Sequence, residues 1–361
     1  MNACDELGQL LAALRALDAR GQRAALITLT RTRGATFRQV GTRMLVYEDG
    51  SNVCELSGGC PQRDIMAHAM AAMADGKVRQ VRYNAESGLD LLMEMGCGGE
   101  LEVLVEPLHA ASDLGYVVAL SGCQSQRRAS VLATVFAHDG QVGPTRHVLW
   151  SEDELVHDSL ADPALRAVIA TSVADGPARP ASRQFSTQAG QFDVLVERVP
   201  PPHALVVIGS SSAARALLPL AGILGWTVTL VDFDAQRVRT ADLPEGIRSV
   251  CAQPAELIDK LQPDSATSVV VMTHSLHKDA EYLAALRAVP LAYLGLLGAR
   301  QRVDQVLALA DAQAMDIHAP VGLDIGSESP AEIALSIVAE IIAATRGHPG
   351  RPLRERQGSI H

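Results

Sequence analysis

The sequence predicts an α/β protein in two parts, and three observations along its 361 residues support that class. Short apolar segments typical of strands alternate with longer amphipathic segments typical of helices. Segments of the first 108 residues recur between residues 127 and 199, which indicates two related α/β units. After Pro200-Pro201-Pro202, continuous apolar strands alternate with helices, the pattern of a parallel sheet. We therefore predict these regions: an N-terminal region (1–199), a proline-rich linker (200–203), a C-terminal domain (204–346) and a loose tail (347–361).

The N-terminal region begins with a predicted helix over residues 5–20, whose leucines at positions 7, 10, 11, 14 and 17 form one stripe. A second helix is predicted from about Asp64 to Asp75, because Gly76 suits a helix C-terminus. The predicted strands are, in chain order, Ala24–Leu29, Arg43–Tyr47, Val78–Tyr83 and Leu101–Glu106.

The internal repeat rests on three pairs of segments. Residues 23–34 resemble 128–140, residues 71–76 resemble 171–176, and residues 99–106 resemble 190–197. These pairs define units of about 20–108 and 127–199, with chance similarity between two αβ segments as the alternative. Only the first unit carries the cysteine and arginine motifs described next, so we predict that the chemistry lies there and that the second unit is scaffold.

Two glycine-rich turns each carry one cysteine, in Ser57-Gly58-Gly59-Cys60 and in Gly96-Cys97-Gly98-Gly99. Glycine allows positive φ and close approach to the main chain, so each thiol is predicted on a tight turn beside bare amides, outside any packed helix. That arrangement suits a thiolate that binds or transfers a group. The alternative is a turn whose cysteine is a small buried hydrophobe.

Four arginines, at positions 31, 33, 38 and 43, lie in or next to a predicted loop from Arg31 to Gly41. The planar guanidinium group suits a phosphate. A solvated basic face is the alternative, and the arginine pattern by itself favours it.

The C-terminal domain opens with a predicted strand at 204–208, a turn at Gly209, a helix, and a strand closing at Asp232. This is a Rossmann-type βαβ start with the acidic residue at the usual offset. Ser211 and Ala214 replace the second and third glycines of the G-x-G-x-x-G pattern, and a Cβ at Ser211 obstructs a pyrophosphate. The pattern favours a Rossmann framework that does not bind NAD(P).

Further along, a predicted strand at 269–273 leads into a loop with His274 and His277, at the sheet edge where open α/β folds bind ligands. These histidines could ligate a metal or shuttle protons, although no third ligand accompanies them and surface histidines without a role are commoner. Another strand, 291–295, precedes a helix opened by Arg300.

The last helix is predicted over 330–344, after a capping box formed by Ser329 and Glu332 with Pro330 at its first position. Its face of isoleucines, at positions 333, 337 and 341, suits either the core or the seam of a homodimer.

The composition argues against several classes of protein. A formal net charge of -10 argues against nucleic acid as a main partner. The absence of an apolar run of 18 residues predicts no membrane span, and the amphipathic first helix does not resemble a signal peptide. The six cysteines are dispersed and form no disulfide framework, so we expect a reducing, cytoplasmic compartment; they are Cys4, Cys54, Cys60, Cys97, Cys123 and Cys251.

Six motifs in order resemble those of the XdhC/CoxI family, accessory proteins for the maturation of molybdenum hydroxylases such as xanthine dehydrogenase. The resemblance covers nearly the whole chain. The motifs are the glycine-bounded loop at 34–41, SGGC at 57–60, GCGGE at 96–100, VVVMTH at 269–274, YLGLLGAR at 293–300, and GLDIG with PAEIA over 322–334.

The resemblance implies a chaperone that binds the molybdenum cofactor (molybdopterin with Mo), protects it, works with a cysteine desulfurase and delivers it to an apo molybdenum hydroxylase. It also implies contact with the proteins of molybdenum cofactor synthesis. Cys60 and Cys97 are then transient Mo ligands or a sulfur relay. The candidate cofactor-binding residues are Arg38, for the phosphate, and Gly41, Ser57, Gly58, Gly59, Gly98, Gly99, Gly209, Asp232, His274 and Arg300.

The chain departs from the family at two loops: serines occupy positions 210–212, where the family has glycines and a histidine, and the THDH loop keeps only Thr273, His274 and Asp279. The rival function is an NAD(P)-dependent oxidoreductase using residues 204–232, which a nucleotide thermal-shift assay would detect. A zinc or redox-thiol protein is a third, weaker interpretation, because Cys60 and Cys97 form no CxxC pair; metal analysis would decide it.

Overall fold

The computed structural model describes residues 4–20, 22–34, 36, 38–56, 59–84, 99–108, 114–174, 179–240 and 242–356. The chain divides into two compact units, an N-terminal unit of residues 1–201 and a C-terminal unit of residues 202–361. The division falls inside Pro200-Pro201-Pro202, where residues 200–203 form neither strand nor helix.

The N-terminal unit contains two successive sets of elements, called here the first and second repeats. The first repeat contains α1 (Cys4–Arg20), β1 (Ala24–Arg33), β2 (Arg43–Tyr47), β3 (Asn52–Val53), α2 (Gly59–Asp75), β4 (Arg79–Tyr83) and β5 (Glu100–Leu108). The second contains α3 (Gly115–Ser125), β6 (Ser130–His138), β7 (Gln141–Ser151), β8 (Glu154–Asp158), α4 (Pro163–Ala174), β9 (Ala181–Thr187) and β10 (Gly190–Val199).

The two repeats form antiparallel sheets with the same strand order, β3-β2-β1-β5-β4 in the first and β8-β7-β6-β10-β9 in the second. Each sheet has a β-bulge at the same place, between Leu29 and Arg31 of β1 and between Val135 and Ala137 of β6. The predicted fold of two related α/β units is therefore confirmed for this half of the chain.

The sheets of the N-terminal unit share one core and carry one helix on each outer face. Leu26 of the first sheet and Leu132 of the second belong to one buried cluster with leucines of α1 and residues of α3. On the outer faces, α2 packs on the first sheet through Ile65, and α4 packs on the second through Ile169. Each sheet is therefore buried on both faces, as its mainly apolar strands require.

Two predictions for the first repeat need correction. The segment from residue 31 was predicted as loop, but β1 continues to Arg33 because Arg33 pairs with Glu100 of β5. The turn around Cys60 was predicted outside any helix, but α2 begins at Gly59. Pro61 is compatible with that first turn, where a missing N–H costs no hydrogen bond.

The C-terminal unit is a parallel sheet with helices, and the predicted Rossmann-like domain is confirmed. Its five strands are parallel and have the order β13-β12-β11-β14-β15. The topological switch point, where successive strands begin to be added on the other side of β11, lies between β11 and β14. The elements are β11 (Ala204–Ile208), α5 (Ser212–Ile223), β12 (Thr227–Asp232), α6 (Ala235–Arg239), β13 (Arg248–Cys251), α7 (Leu257–Leu261), β14 (Thr267–Val271), α8 (Leu276–Leu286), β15 (Tyr293–Leu296), α9 (Arg300–Leu309) and α10 (Pro330–Thr345).

The last helix, α10, belongs to the core of the C-terminal unit. Ser329 and Glu332 form the predicted capping box at its start. Ile337 and Ile341 are fully buried, and Ile333 packs against the same cluster. Of the two roles predicted for the isoleucine face, the structure therefore places it in the core.

Candidate functional site

Elements of the first repeat meet at one edge of its sheet. Tyr83 at the end of β4 pairs with Leu101 at the start of β5, and its hydroxyl donates a hydrogen bond of 2.8 Å to Asp64 in α2. Asp64 lies one helical turn beyond Cys60, and Leu101 lies two residues beyond Gly99. The described neighbours of the two glycine-cysteine motifs are therefore brought together.

The motif residues themselves are described only in part. Gly59 and Cys60 form the first turn of α2, and Gly99 is buried immediately before β5. The side chain of Cys60 lies outside the described part of the structure, as do the predicted residues Ser57, Gly58, Cys97 and Gly98.

A cavity of about 210 Å³ at the same edge is lined by three arginines, and we call it the arginine pocket. Arg31 donates a hydrogen bond of 2.7 Å to Asp193 and lies 3.4 Å from a carboxylate oxygen of Glu102. The Nε atom of Arg82 lies 2.9 Å from the other oxygen of Glu102. Arg33 is exposed, and its side chain has no hydrogen bond or ion pair within the described residues. The pocket thus combines two arginines held by carboxylates with one uncommitted guanidinium.

Arg38, the arginine predicted to bind phosphate, is ion-paired with the first helix. Its Nη2 and Nη1 atoms lie 2.8 and 3.1 Å from the two oxygens of Glu6, and three quarters of its side chain is buried. Gly41 has φ +84° and its N–H donates to the Leu29 carbonyl at 2.7 Å. Both residues hold the segment between β1 and β2 in place.

Arg43 is buried between the two sheets and is not part of the arginine pocket. Its Nη1 atom donates to Glu197 Oε1 at 2.9 Å, and its Nη2 atom donates to the other oxygen of the same carboxylate. Burial by itself would lower the pKa of Arg43, but the charge and hydrogen bonds of Glu197 outweigh it and raise that pKa. A guanidinium held in this way fastens the two repeats together.

Cys54 differs from a reactive cysteine although it precedes the first motif closely. Burial, followed by the charge of Glu6, raises the pKa of the Cys54 thiol to about 11. Its Sγ atom donates to the Glu6 carbonyl at 3.5 Å. The Cys54 side chain is therefore a neutral thiol at physiological pH.

In the C-terminal unit, the serine side chains of the turn after β11 make hydrogen bonds to neighbouring groups of the protein. Gly209 has φ +112°, and a Cβ there would lie 2.5 Å from the Met272 carbonyl oxygen. Ser211 caps α5 with its side chain. Ser210 donates a hydrogen bond of 2.7 Å to the buried carboxylate of Asp232. Dinucleotide-binding domains use an acidic residue at this point to bind a ribose, and here Ser210 already occupies it.

Two other predicted residues lie on the exposed side of this unit. His274 is exposed after β14 with φ +63°, and Arg300 is exposed at the start of α9. Behind His274, the buried Asp279 accepts a hydrogen bond of 2.6 Å from Thr273 and forms an ion pair of 2.6 Å with Arg302. Thr273 and Asp279, which the sequence shares with the family loop, therefore form a structural network.

A second network in the C-terminal unit was not predicted. Glu340 of α10 accepts hydrogen bonds from the Tyr293 hydroxyl and, at 2.7 Å, from the Gly322 N–H, and it lies 3.2 Å from His318 Nδ1. Burial, followed by the hydrogen bond to Glu340, raises the pKa of Tyr293. These partners are 18 to 47 residues from Glu340 in sequence, so no local spacing could identify them.

Three larger cavities lined by described residues contain none of the predicted site residues. One of about 780 Å³ lies around Trp150 and Pro200, and one of about 620 Å³ lies around Tyr293 and His318. Within the described residues, no group of three or more His, Cys, Asp or Glu could hold a metal ion. None of the described helices is both long and apolar enough to cross a bilayer.

Comparison with known proteins places these features in one family. A model of the XdhC and CoxI family matches residues 17–84, and a model of the XdhC Rossmann domain matches residues 205–341. The first match includes the arginines and the first glycine-cysteine motif, and the second includes the parallel sheet.

Similar proteins extend over nearly the whole chain. A protein of Bacillus subtilis (strain 168), named as a probable subunit of xanthine dehydrogenase, is 26% identical over 343 residues, or 93% of this chain and 97% of that protein. The molybdenum cofactor insertion chaperone PaoD from Escherichia coli (strain K12) is 24% identical over 335 residues, or 91% and 85%. A crystal structure described as a xanthine dehydrogenase from Bacillus halodurans has the same fold, with a TM-score of 0.78, 23% identity and coverage of 97% and 98%.

Proposed function

Because the chain belongs to the XdhC/CoxI family, we propose that it is an accessory protein in the maturation of a molybdenum hydroxylase. It binds the molybdenum cofactor, protects it, presents it to a cysteine desulfurase and delivers it to an apo hydroxylase similar to xanthine dehydrogenase. Two relatives that match nearly the whole chain support the proposal, one named as a molybdenum cofactor insertion chaperone and the other as a probable subunit of xanthine dehydrogenase.

The observation that supports the proposal is that described neighbours of two distant motifs lie together at one sheet edge. The Tyr83 contacts with Asp64 and Leu101 join chain segments that follow Cys60 and Gly99. Two thiols delivered to one place can hold a soft metal centre that a single exposed cysteine would hold weakly. We propose that Cys60 and Cys97 provide these thiols.

The residues around this edge suit the chemistry of the proposed cargo. A thiolate can bind molybdenum and later exchange for another ligand, which transient carriage requires. Gly59 lies in the first turn of α2, where backbone N–H groups have no partner within the helix and can bind oxo groups or the pterin edge. The Rossmann-like unit, whose acidic Asp232 is already bonded, has no assigned part in this binding.

Co-expression with the cofactor-synthesis proteins tests the function directly. The purified chain should carry molybdenum and pterin in near-equal amounts, and adding it to an apo hydroxylase that lacks the molybdenum cofactor should restore activity. The proposal would be contradicted if protein purified from cells that make the cofactor contained neither molybdenum nor pterin.

The two proposed thiols are tested by substitution. Cys60→Ala or Cys97→Ala should lower retained pterin and molybdenum, and hydroxylase activation with them, while the circular dichroism spectrum stays unchanged. Cys54→Ala is the matched control, because its thiol is neutral and should not hold metal. Equal retention in both single variants and in the double variant would show that the thiols are not used.

A further inference from the structure

The arginine pocket is specific to the first repeat, as a comparison with equivalent positions of the second repeat shows. Strand register defines equivalent positions on either side of the shared bulge. Arg31 pairs with Glu102 in the first sheet, and Ala137 pairs with Asp193 in the second. Two positions further outward, Arg33 lies opposite Glu100 in the first repeat. Arg31 therefore corresponds to Ala137.

The other two arginines of the pocket also correspond to residues of a different type in the second repeat. Arg33, two residues after Arg31, corresponds to Asp139, and Arg82, opposite Glu102, corresponds to Gln184, opposite Asp193. Three arginines in the first repeat are thus replaced by an alanine, an aspartate and a glutamine in the second. The fold that both repeats share does not require the arginines, so their role is specific to the first.

The second repeat carries an aromatic contact at the corresponding edge of its sheet. His138 stacks on Phe192 with ring centroids 4.4 Å apart and planes 3° from parallel. Its ring Nε2 lies 2.8 Å from the Ala189 carbonyl oxygen. The corresponding edge of the first repeat keeps a cavity of about 210 Å³. A cavity lined by three arginines that the second repeat lacks is the arrangement expected for a ligand site specific to the first repeat.

The feature of the pocket that favours an anion is one guanidinium, that of Arg33, which no carboxylate of the described residues binds. Its lining contains three arginines and two glutamates, Glu100 and Glu102. Glu102 holds Arg31 and Arg82 in place, and Asp193 also binds Arg31. Arg33 keeps its donors uncommitted within the described residues. A pre-oriented guanidinium beside a free one can bind two faces of a tetrahedral oxyanion.

The size of the pocket limits what it can bind. Cofactor-sized sites occupy roughly 300–1,000 Å³, so a cavity of about 210 Å³ holds one chemical group of a larger ligand. We propose that the arginine pocket binds a phosphate monoester, and, resting on the proposed function, that this group is the phosphate arm of the molybdopterin cargo. Arg33 and Arg82, and not Arg38, are then its ligands.

Substitutions that copy the second repeat test the proposal. Arg82→Gln introduces the residue that the second repeat has at this position, so the fold should be preserved. Arg33→Asp introduces the residue found at position 139 but places a carboxylate opposite Glu100, so its circular dichroism spectrum is compared with that of the wild-type chain. Arg15→Glu, on an exposed position of α1, is the matched control because it changes the net charge as much as Arg33→Asp does. The chain is co-expressed with cofactor-synthesis proteins, with and without molybdate in the medium, and retained pterin is measured at low and high salt.

Arg33→Asp should lower retained pterin about tenfold or more in both media, the change expected for the loss of a charge-assisted hydrogen bond. High salt should lower retention by the wild-type chain more than by the variant. Unchanged retention, or a loss only when molybdate is supplied, would overturn the assignment to phosphate while leaving the proposed function intact.

If the wild-type chain retains no pterin in either medium, the proposed function fails. The pocket is then tested by calorimetric titration with inorganic phosphate. Binding by the wild-type chain that Arg33→Asp abolishes would support an oxyanion pocket without the cofactor, and no binding would overturn both proposals.

Discussion

His147 lies buried between the two sheets, and its hydrogen bonds define its protonation. Its Nδ1 lies 3.2 Å from the Thr134 hydroxyl oxygen and its Nε2 lies 3.0 Å from the Thr145 hydroxyl oxygen, while Thr145 donates its proton to Glu106. The Nε2–H therefore donates to Thr145, and in the neutral ring, which the lowered pKa favours at physiological pH, Nδ1 accepts from Thr134. Burial first, then the charges of Arg43 and His157, lowers the pKa of His147 to about 3.

This lowered pKa predicts acid sensitivity of the N-terminal unit. Between the ordinary pKa of 6.5 and the folded pKa of about 3, unfolded His147 binds a proton that the folded form does not. The free energy of unfolding should therefore fall as the pH drops through this window, by up to about 1.4 kcal/mol per pH unit. Urea unfolding at successive pH values measures the slope.

His147→Gln should remove this part of the pH dependence, whatever its effect on stability at neutral pH. His138→Gln, at an exposed position, is the control and should keep the slope. The explanation is wrong if the His147 variant loses stability with acid as steeply as the parent chain.

Among the elements, the helices are stabilised both by capping of their first turns and by burial of one face. Ser329 and Glu332 satisfy backbone groups at the start of α10, and Ser211 does so for α5. The stability of α10 then comes mainly from one face: Ile337 is fully buried, whereas Leu335 is 53% exposed. Its isoleucines are therefore packing residues of the C-terminal unit.

Truncation on the two faces of α10 should have unequal effects. Ile337→Ala should lower the free energy of unfolding by about 2–5 kcal/mol, because it leaves a cavity in a closed cluster. Leu335→Ala should cost less than about 1 kcal/mol. Urea unfolding followed by the fluorescence of Trp226 reports on this unit, and equal losses in the two variants would contradict the assignment of the buried face.

At the scale of the whole molecule, the two units have separate hydrophobic cores. The clusters that contain Leu26 and Ile337 belong to the N-terminal and C-terminal units respectively, and the division between the units falls in the proline run. The chain has two tryptophans, Trp150 in the first unit and Trp226 in the second. Each unit therefore carries its own fluorescent reporter.

The separate cores predict two unfolding transitions. Trp226→Phe isolates the signal of the N-terminal unit, and Trp150→Phe isolates that of the C-terminal unit. Leu26→Ala should lower the midpoint of the first transition alone, and Ile337→Ala that of the second alone. A single transition shifted by both substitutions would show that the units unfold together.

The sequence could predict features that depend on neighbouring residues. Apolar periodicity predicts α1 and the buried strands of the parallel sheet, and the Ser329–Glu332 spacing predicts the start of α10. The recurrence of segments 23–34 and 99–106 predicts two related units, since similar sequences form similar local structure. These signals are local, so each can be recognised without knowing the partners of any residue.

Only the tertiary structure decided which residues meet. The pairing of β1 with β5 carries Arg31 and Arg33 into the strand and places Arg82 beside them, although Arg82 is 49 residues away from Arg33 in the sequence. The packing of the two sheets likewise brings Arg43 to Glu197, 154 residues away in the sequence. Such contacts are set by strand register and by the packing of the two sheets, which act between segments far apart in the chain, and sequence spacing carries no information about them.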